Sequence, residues 1–265
     1  MKNILFIPLL LVLLFLTSCG PNQDKQAALA LSRANSYLVK NDTTMALSVI
    51  DSALVNYTNA KEMRAKLEMM KGDIYTDLCN QLKRGVDSCD IIIRQKLKDF
   101  VVQDRPYDKN KWYVYKRQTF KRSWDRSFIE VNLNDKGLMY LTSNYIGEKS
   151  LDHTGIRVYD KDLSCKTSMV ALNTIDNHHS DFLESKWEKV SYKEGASDDL
   201  ISFIVSHPGR HFKAVFLGKK YYYILLEKYD IEAVVKSYEL SQLLKQRQAL
   251  KLKLHSVDKQ ICKNC

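Results

Sequence analysis

Proline and glycine are scarce, four and nine among 265 residues, which excludes collagen-like and proline-rich chains. The usual signatures of catalysis are missing too: no G-x-S-x-G, H-E-x-x-H, P-loop, G-x-G-x-x-G or peptidase-type cysteine pattern occurs. Ser256-Val257-Asp258-Lys259 fits S-x-x-K, but it falls inside an expected helix and has no K-T-G partner, so it reads as a chance match. What is present is 45% hydrophobic and 27% charged. That balance argues against intrinsic disorder and supports a sizeable core in one or two domains. Fifteen tyrosines and nine phenylalanines favour sheet alongside helix.

The one long apolar run lies at the start. Met1-Lys2-Asn3 is basic, Ile4 to Leu16 is almost continuously apolar, and Leu16-Thr17-Ser18-Cys19 follows. This is the three-part pattern of a secretory signal. As a helix the run spans about 20 Å, short of the roughly 30 Å hydrocarbon core, so a permanent membrane-spanning helix is not expected. The segment Leu16 to Cys19 resembles a bacterial lipobox. The resemblance implies cleavage before Cys19, acylation of its thiol (diacylglycerol and palmitate) and a mature chain of 247 residues. Two or three acyl chains hold stably, since each buried methylene contributes about 0.8 kcal/mol. Gly20, where aspartate commonly signals inner-membrane retention, leans the expectation toward the outer membrane of the envelope. Gly20 to Lys25 reads as a tether, and an exported chain is not expected to meet nucleic acid.

Positive charge is concentrated after the first hundred residues. Residues 20–104 are near neutral, whereas 105–229 and 230–265 carry excesses of five and three. Anionic envelope partners would be lipid head groups or acidic glycans. Besides Cys19 there are Cys79, Cys89, Cys165, Cys262 and Cys265, an odd number that cannot all pair within one chain. Cys79 and Cys89 flank an expected turn at Arg84-Gly85-Val86 and are a candidate disulfide. Cys262-Lys263-Asn264-Cys265 has C-x-x-C spacing but no following helix and no second ligand pair, so neither redox nor metal chemistry is read from it.

The periodicity predicts α+β: N-terminal helical hairpins, an antiparallel sheet in the middle and a long C-terminal helix packing back on the helical part. The expected divisions are a signal at 1–18, a lipidated tether at 19–26, helices at 27–105, a β domain at 106–229, and a helix with a cysteine tail at 230–265. Helices are expected over Asp24–Lys40, from a Thr43 cap to about Tyr57, over Asn59–Lys83, and from Asp87 or Ser88 to about Val102, with a break at Gly85. Strands are expected at 112–120, 127–133, 138–145, 155–159, 200–206, 211–217 and 221–226, with Asn134-Asp135-Lys136-Gly137 as a hairpin turn. Residues 176–199 read as polar and loop-rich, with one short strand near Trp187. Asp230 is expected to cap the last helix.

Ala34, Tyr37, Ala46, Ile50 and Ala53 sit at the spacings of one tetratricopeptide repeat. Small residues there let two antiparallel helices approach closely. The match covers about 30 residues and departs from the pattern at Asn41, where a turn glycine is usual, at Arg33, and in lacking a terminal proline; no clear second copy follows.

The densest basic feature interleaves Lys111, Lys116, Arg117 and Arg122 with Trp112, Tyr115 and Trp124. Cations and rings together could hold an anionic glycan or lipid head group, or they could be the two faces of one strand. His178 and His179 lie near Asp181, but zinc needs three or four convergent ligands, so no metal and no cofactor is expected. Asp42-Thr43-Thr44 and Asp51-Ser52-Ala53 fit a short O-glycosylation pattern.

The whole plan resembles a group of uncharacterised bacterial lipoproteins. The residues carrying it are Leu16 to Cys19, Ala34 to Ala53, the strand start His153 to Val158, and Leu217-Gly218-Lys219-Lys220-Tyr221. The expected anchor, the helical hairpin and the absent catalytic motifs point to a non-catalytic, lipid-anchored envelope protein that docks a protein or envelope polymer, with a protein partner on the helical region. The alternatives are an anionic-ligand module on residues 109–126 and an unrecognised hydrolase.

Overall fold

A computed structural model describes residues 21–106, 108–118, 126–182 and 185–263. The chain is α+β, and it divides into two compact units. Of the described residues, one unit comprises 21–84 with 252–263, and the other lies within 85–251. The boundaries between these units fall inside two long helices.

In the first unit, α1 (Pro21–Val39) and α2 (Thr43–Asn56) form an antiparallel hairpin. The cap of α2 is Asp42, whose Oδ1 accepts from the Met45 amide at 3.0 Å. Asn41 takes the left-handed conformation, φ 58°, that the repeat pattern gives to glycine. Asparagine tolerates it because its short polar side chain bonds locally. Asn41→Val should cost about 1–2 kcal/mol through the strain of a β-branched residue there, read as a lower urea midpoint. Ala27, Ala34, Ala46, Ala53 and Ala60 are buried with Ile50, Leu67 and Ile74. The repeat-like spacing thus does its packing work, with Tyr37 against the same core.

The third helix is longer than the periodicity predicts. α3 runs unbroken over Lys61–Lys96, so Gly85 does not end it. A helical glycine costs about 1 kcal/mol relative to alanine. Here the absent side chain makes room for Leu250, whose Cδ1 would lie 3.3 Å from a Cβ at this position. Val86, Cys89 and Ile93 continue the buried face. The expected fourth helix is thereby absorbed, and its end is instead strand β1 (Phe100–Gln103).

The second unit holds two antiparallel sheets. One has the order β1-β2-β3-β4-β8-β7, with β2 Trp112–Tyr115, β3 Phe128–Asn134, β4 Met139–Gly147, β7 Asn177–Phe182 and β8 Ser185–Tyr192. The other has the order β10-β9-β5-β6, with β5 Gly155–Asp160, β6 Leu163–Lys166, β9 Lys213–Leu217 and β10 Tyr221–Leu225. Alternate residues of both sheets, among them Leu133, Leu141, Val190, Ile156 and Phe216, share one core. Leu200, Ile201 and Ile204 of α4 (Asp198–Ser206) join it, as do Val234, Leu240 and Leu244 of α5 (Lys228–Lys263).

Two segments depart from expectation. Residues 200–206 are helix, not strand. Ile201, Phe203 and Val205 recur at a period of two, but Leu200, Ile201 and Ile204 also make one helical face, and such short runs fit both periods. Asp198 and Asp199 in the first turn favour the helix through its dipole. Residues 177–182 and 185–192 are paired antiparallel strands, so the segment holds the short strand expected near Trp187 and a second one in place of loop. Asp230 is the third residue of α5, not its cap: its Oδ2 reaches back to accept from the Glu227 amide at 3.0 Å. Among the described residues no helix is long and apolar enough to cross a membrane.

Candidate functional site

The densest cluster of titratable groups lies in the core of the second unit. Ser143 comes from β4, Glu188 and Tyr192 from inward positions of β8, and His153 from the loop entering β5. Asp152 has φ 51°, and this left-handed residue turns three successive amides toward one point. The Glu188 carboxylate fills that point. Its Oε1 accepts from the amides of Leu151 at 2.6 Å and Asp152 at 2.9 Å, and from Ser150 Oγ at 2.7 Å. Its Oε2 accepts from the His153 amide at 3.0 Å and from His153 Nδ1 at 2.5 Å. The far ring nitrogen, Nε2, is 2.7 Å from Ser143 Oγ, which is 2.9 Å from the Tyr192 hydroxyl. One proton arrangement satisfies the whole chain: Tyr192 donates to Ser143, Ser143 to Nε2, and Nδ1 to Glu188. Phe216 stacks on the His153 ring at 5.1 Å.

Burial alone would raise the Glu188 pKa. The bonds from the His153 ring and amide, Ser150 and the Asp152 amide outweigh it and hold the carboxyl far below the usual carboxylate range. Burial pushes the Tyr192 phenol up, against the bond to Ser143.

Serine, histidine and carboxylate in this order make the connectivity of a nucleophile, its base and the group that orients the base. Ser143 and His153 are 0% exposed and Glu188 is 1% exposed. A nucleophile needs an approach path, and these side chains have none. The cluster acts instead as a clamp, tying β4 and β8 of one sheet to the loop that enters the other.

Next to it, His179 Nδ1 is 3.6 Å from Asp152 Oδ1, and Lys219 Nζ is 2.7 Å from Asp152 Oδ2. The bond from Lys219 holds the Asp152 carboxyl below its ordinary value. Asp152, His179 and Glu188 come together closely enough to suggest a cation site. However, the five hydrogen bonds on Glu188 occupy the lone pairs a metal would need. His178 and His179 are on strand β7, not in a surface loop, and alternation sends them to opposite faces.

The basic and aromatic stretch does not assemble into one cleft. Trp112 and Tyr115 are three apart on β2 and so face opposite ways, both buried. The Trp112 indole donates to Asp108 Oδ2 at 2.7 Å, with the Arg105 guanidinium 3.8 Å above the ring. Tyr115 donates to Glu232 at 3.0 Å, and Arg117 pairs with the same carboxylate at 2.9 Å. Lys111 and Lys116 are exposed. Arg122 and Trp124 lie outside the described residues, as do Cys19 and Cys265.

The candidate disulfide is also corrected. Cys79 and Cys89 are free thiols on one continuous helix. Ten residues of helix separate them by about 15 Å, well beyond the roughly 7 Å that a disulfide spans between Cα atoms. Cys79 Sγ donates to Asp258 Oδ1 at 3.2 Å, and burial pushes its thiol up.

The first unit contains a groove of about 960 Å³. Leu31 and Leu38 of α1 and Met69, Met70, Ile74 and Leu78 of α3 give it apolar walls. Asn35, Asn80 and Gln81 add amides, and Asp73, Asp77 and Arg84 add charge.

Sequence reasoning missed the clamp. The segment from His153 to Val158 stands out as a strand start, but nothing in its spacing pairs it with Glu188, 35 residues away. No protein-family model, curated protein or solved structure matches the chain.

Proposed function

We propose that the chain is a non-catalytic lipoprotein of the bacterial envelope, held through Cys19 in the outer membrane, that docks another protein in the groove of its helical unit. The groove carries this reading. Leu31, Leu38 and Ile74 offer apolar area, while Met69 and Met70 adapt their shape to an incoming side chain. A slot of this kind beside α1 and α3 suits the apolar face of an amphipathic helix, with the amides and charges at its rim fixing the register. The sealed clamp fits the same reading, because it offers no reacting group to solvent.

The experiment has two arms. Cells fed labelled palmitate should label the wild-type chain and not Cys19→Ser; equal labelling of both sinks the anchor. A photo-crosslinking residue at Asn35 or Asn80 should give one discrete adduct in native membranes. Met69→Glu should reduce that adduct about tenfold, as expected for a charge placed in an apolar contact. The same adduct from an exposed position of the second unit, such as Lys149, would defeat the groove assignment.

A further inference from the structure

The outward face of the four-stranded sheet takes no part in the clamp or the groove. Tyr222, Ile224, Ala214, Phe216, Ile156 and Val158 point into the core. The register therefore sends Tyr221, Tyr223 and Leu225 of β10 outward, with Lys213 of β9, Arg157 and Tyr159 of β5 and Lys166 of β6. Met169 covers Gly155 on this face: a Cβ there would lie 2.7 Å from its sulfur. The apolar and aromatic groups stand well out of the surface. Leu225 is 68% exposed, Tyr221 and Met169 60%, and Tyr223 56%. Scattered apolar residues are ordinary on a surface, but a contiguous group rimmed by charge marks an interaction site.

The charge on this face is of one sign. Arg157, Lys166 and Lys213 lie among the rings, and no acidic residue occupies an outward position of the four strands. At the strand ends Asp160 is held by Arg210 at 3.2 Å and Asp152 by Lys219 at 2.7 Å. Asp162, in the β5–β6 turn, follows Lys161. A second copy of the chain would bring like charges together, so this face does not suit self-association. A soluble polyanion would engage the cations and leave Leu225 and Met169 in water.

We propose that this face rests on the head-group layer of an anionic phospholipid bilayer. Tyrosine suits that layer, with an apolar ring and a polar tip. Leu225 and Met169 reach toward the acyl boundary, and the three cations meet lipid phosphates. The proposal rests on the lipid-anchored reading only for how the chain reaches a membrane.

The test uses the full-length chain purified from membranes and reconstituted with vesicles. One set contains phosphatidylglycerol in phosphatidylethanolamine, the other phosphatidylcholine alone. Hydroxyl-radical labelling is then read by mass spectrometry. Labelling of Met169, Tyr221 and Tyr223 should fall about threefold or more on the anionic vesicles. Met69, in the other unit, should be unchanged. The double variant Arg157→Glu/Lys213→Glu, with circular dichroism as a check on folding, should label alike on both sets. A chain that floats with both vesicles yet labels equally on both overturns the face and leaves the anchor standing. A chain that floats only with anionic vesicles, protected there, supports the face and sinks the anchor. Equal protection by a soluble acidic polysaccharide without vesicles gives the face to a polymer and overturns the proposal.

Discussion

Glu188→Gln should lower the stability of the chain by about 2–3 kcal/mol, the cost of leaving buried donors without their acceptor. The substitution is nearly isosteric, so no cavity accounts for the loss. Five donors converge on the two carboxylate oxygens. An amide presents one oxygen and one NH₂ group, which would face amides or the ring N–H that can only donate. Equilibrium urea unfolding measures the loss, and a change below about 1 kcal/mol would show that the clamp is not a main support of the fold. The pH dependence gives a second reading. The folded pKa of Glu188 lies below its unfolded value of 4.5. Its contribution is therefore complete above pH 4.5 and is lost as the pH falls toward the folded pKa. In that range wild type should lose up to about 1.4 kcal/mol per pH unit from this group, and Glu188→Gln should lack that slope.

Gly218→Ala should cost about 3 kcal/mol, the upper end of what overpacking usually costs. An added Cβ would lie 2.3 Å from the Leu151 carbonyl oxygen and 2.9 Å from both N and Cα of His153. These are backbone atoms, so no side chain can swing away. Nor can the loop retreat, because Leu151 and His153 are held by Glu188 and the Lys219 amide donates to Leu151 O at 2.8 Å. If the loop is pinned in this way, Gly218→Ala and Glu188→Gln are not independent. In the double variant the loop is already loosened, and the alanine should cost less than it does alone. Strict additivity of the two unfolding free energies would refute the pinning.

The helical unit was legible because its signal is local. Ala34, Tyr37, Ala46, Ile50 and Ala53 repeat at helical spacing, and the packing they imply is the packing observed. The hairpins around residues 134–137 and 218–220 were legible for the same reason, since turn residues separate alternating runs. The second half of the large sheet was not. Its strands β7 and β8 place Asn177 and Glu188 inward, where alternation leads one to expect apolar residues. A hidden polar network erases the period-two pattern because its members satisfy one another, and that satisfaction depends on residues far apart in the chain. Gly85 misled in the opposite direction: a local helix breaker was overruled by the approach of Leu250, about 165 residues later. The basic and aromatic stretch was visible as composition, but its Trp112 indole and its Arg117 guanidinium find partners in Asp108 and Glu232, which composition does not reveal.

Cys79 and Cys89 acquire a use from their failure to pair. Each is a reduced sulfur shut away from solvent, and they fall on opposite sides of the division at Arg84 and Gly85. An alkylating reagent can reach either one only while the surrounding fold is transiently open. The rates at which the two peptides gain mass therefore time the breathing of each half of the molecule separately, with no label introduced.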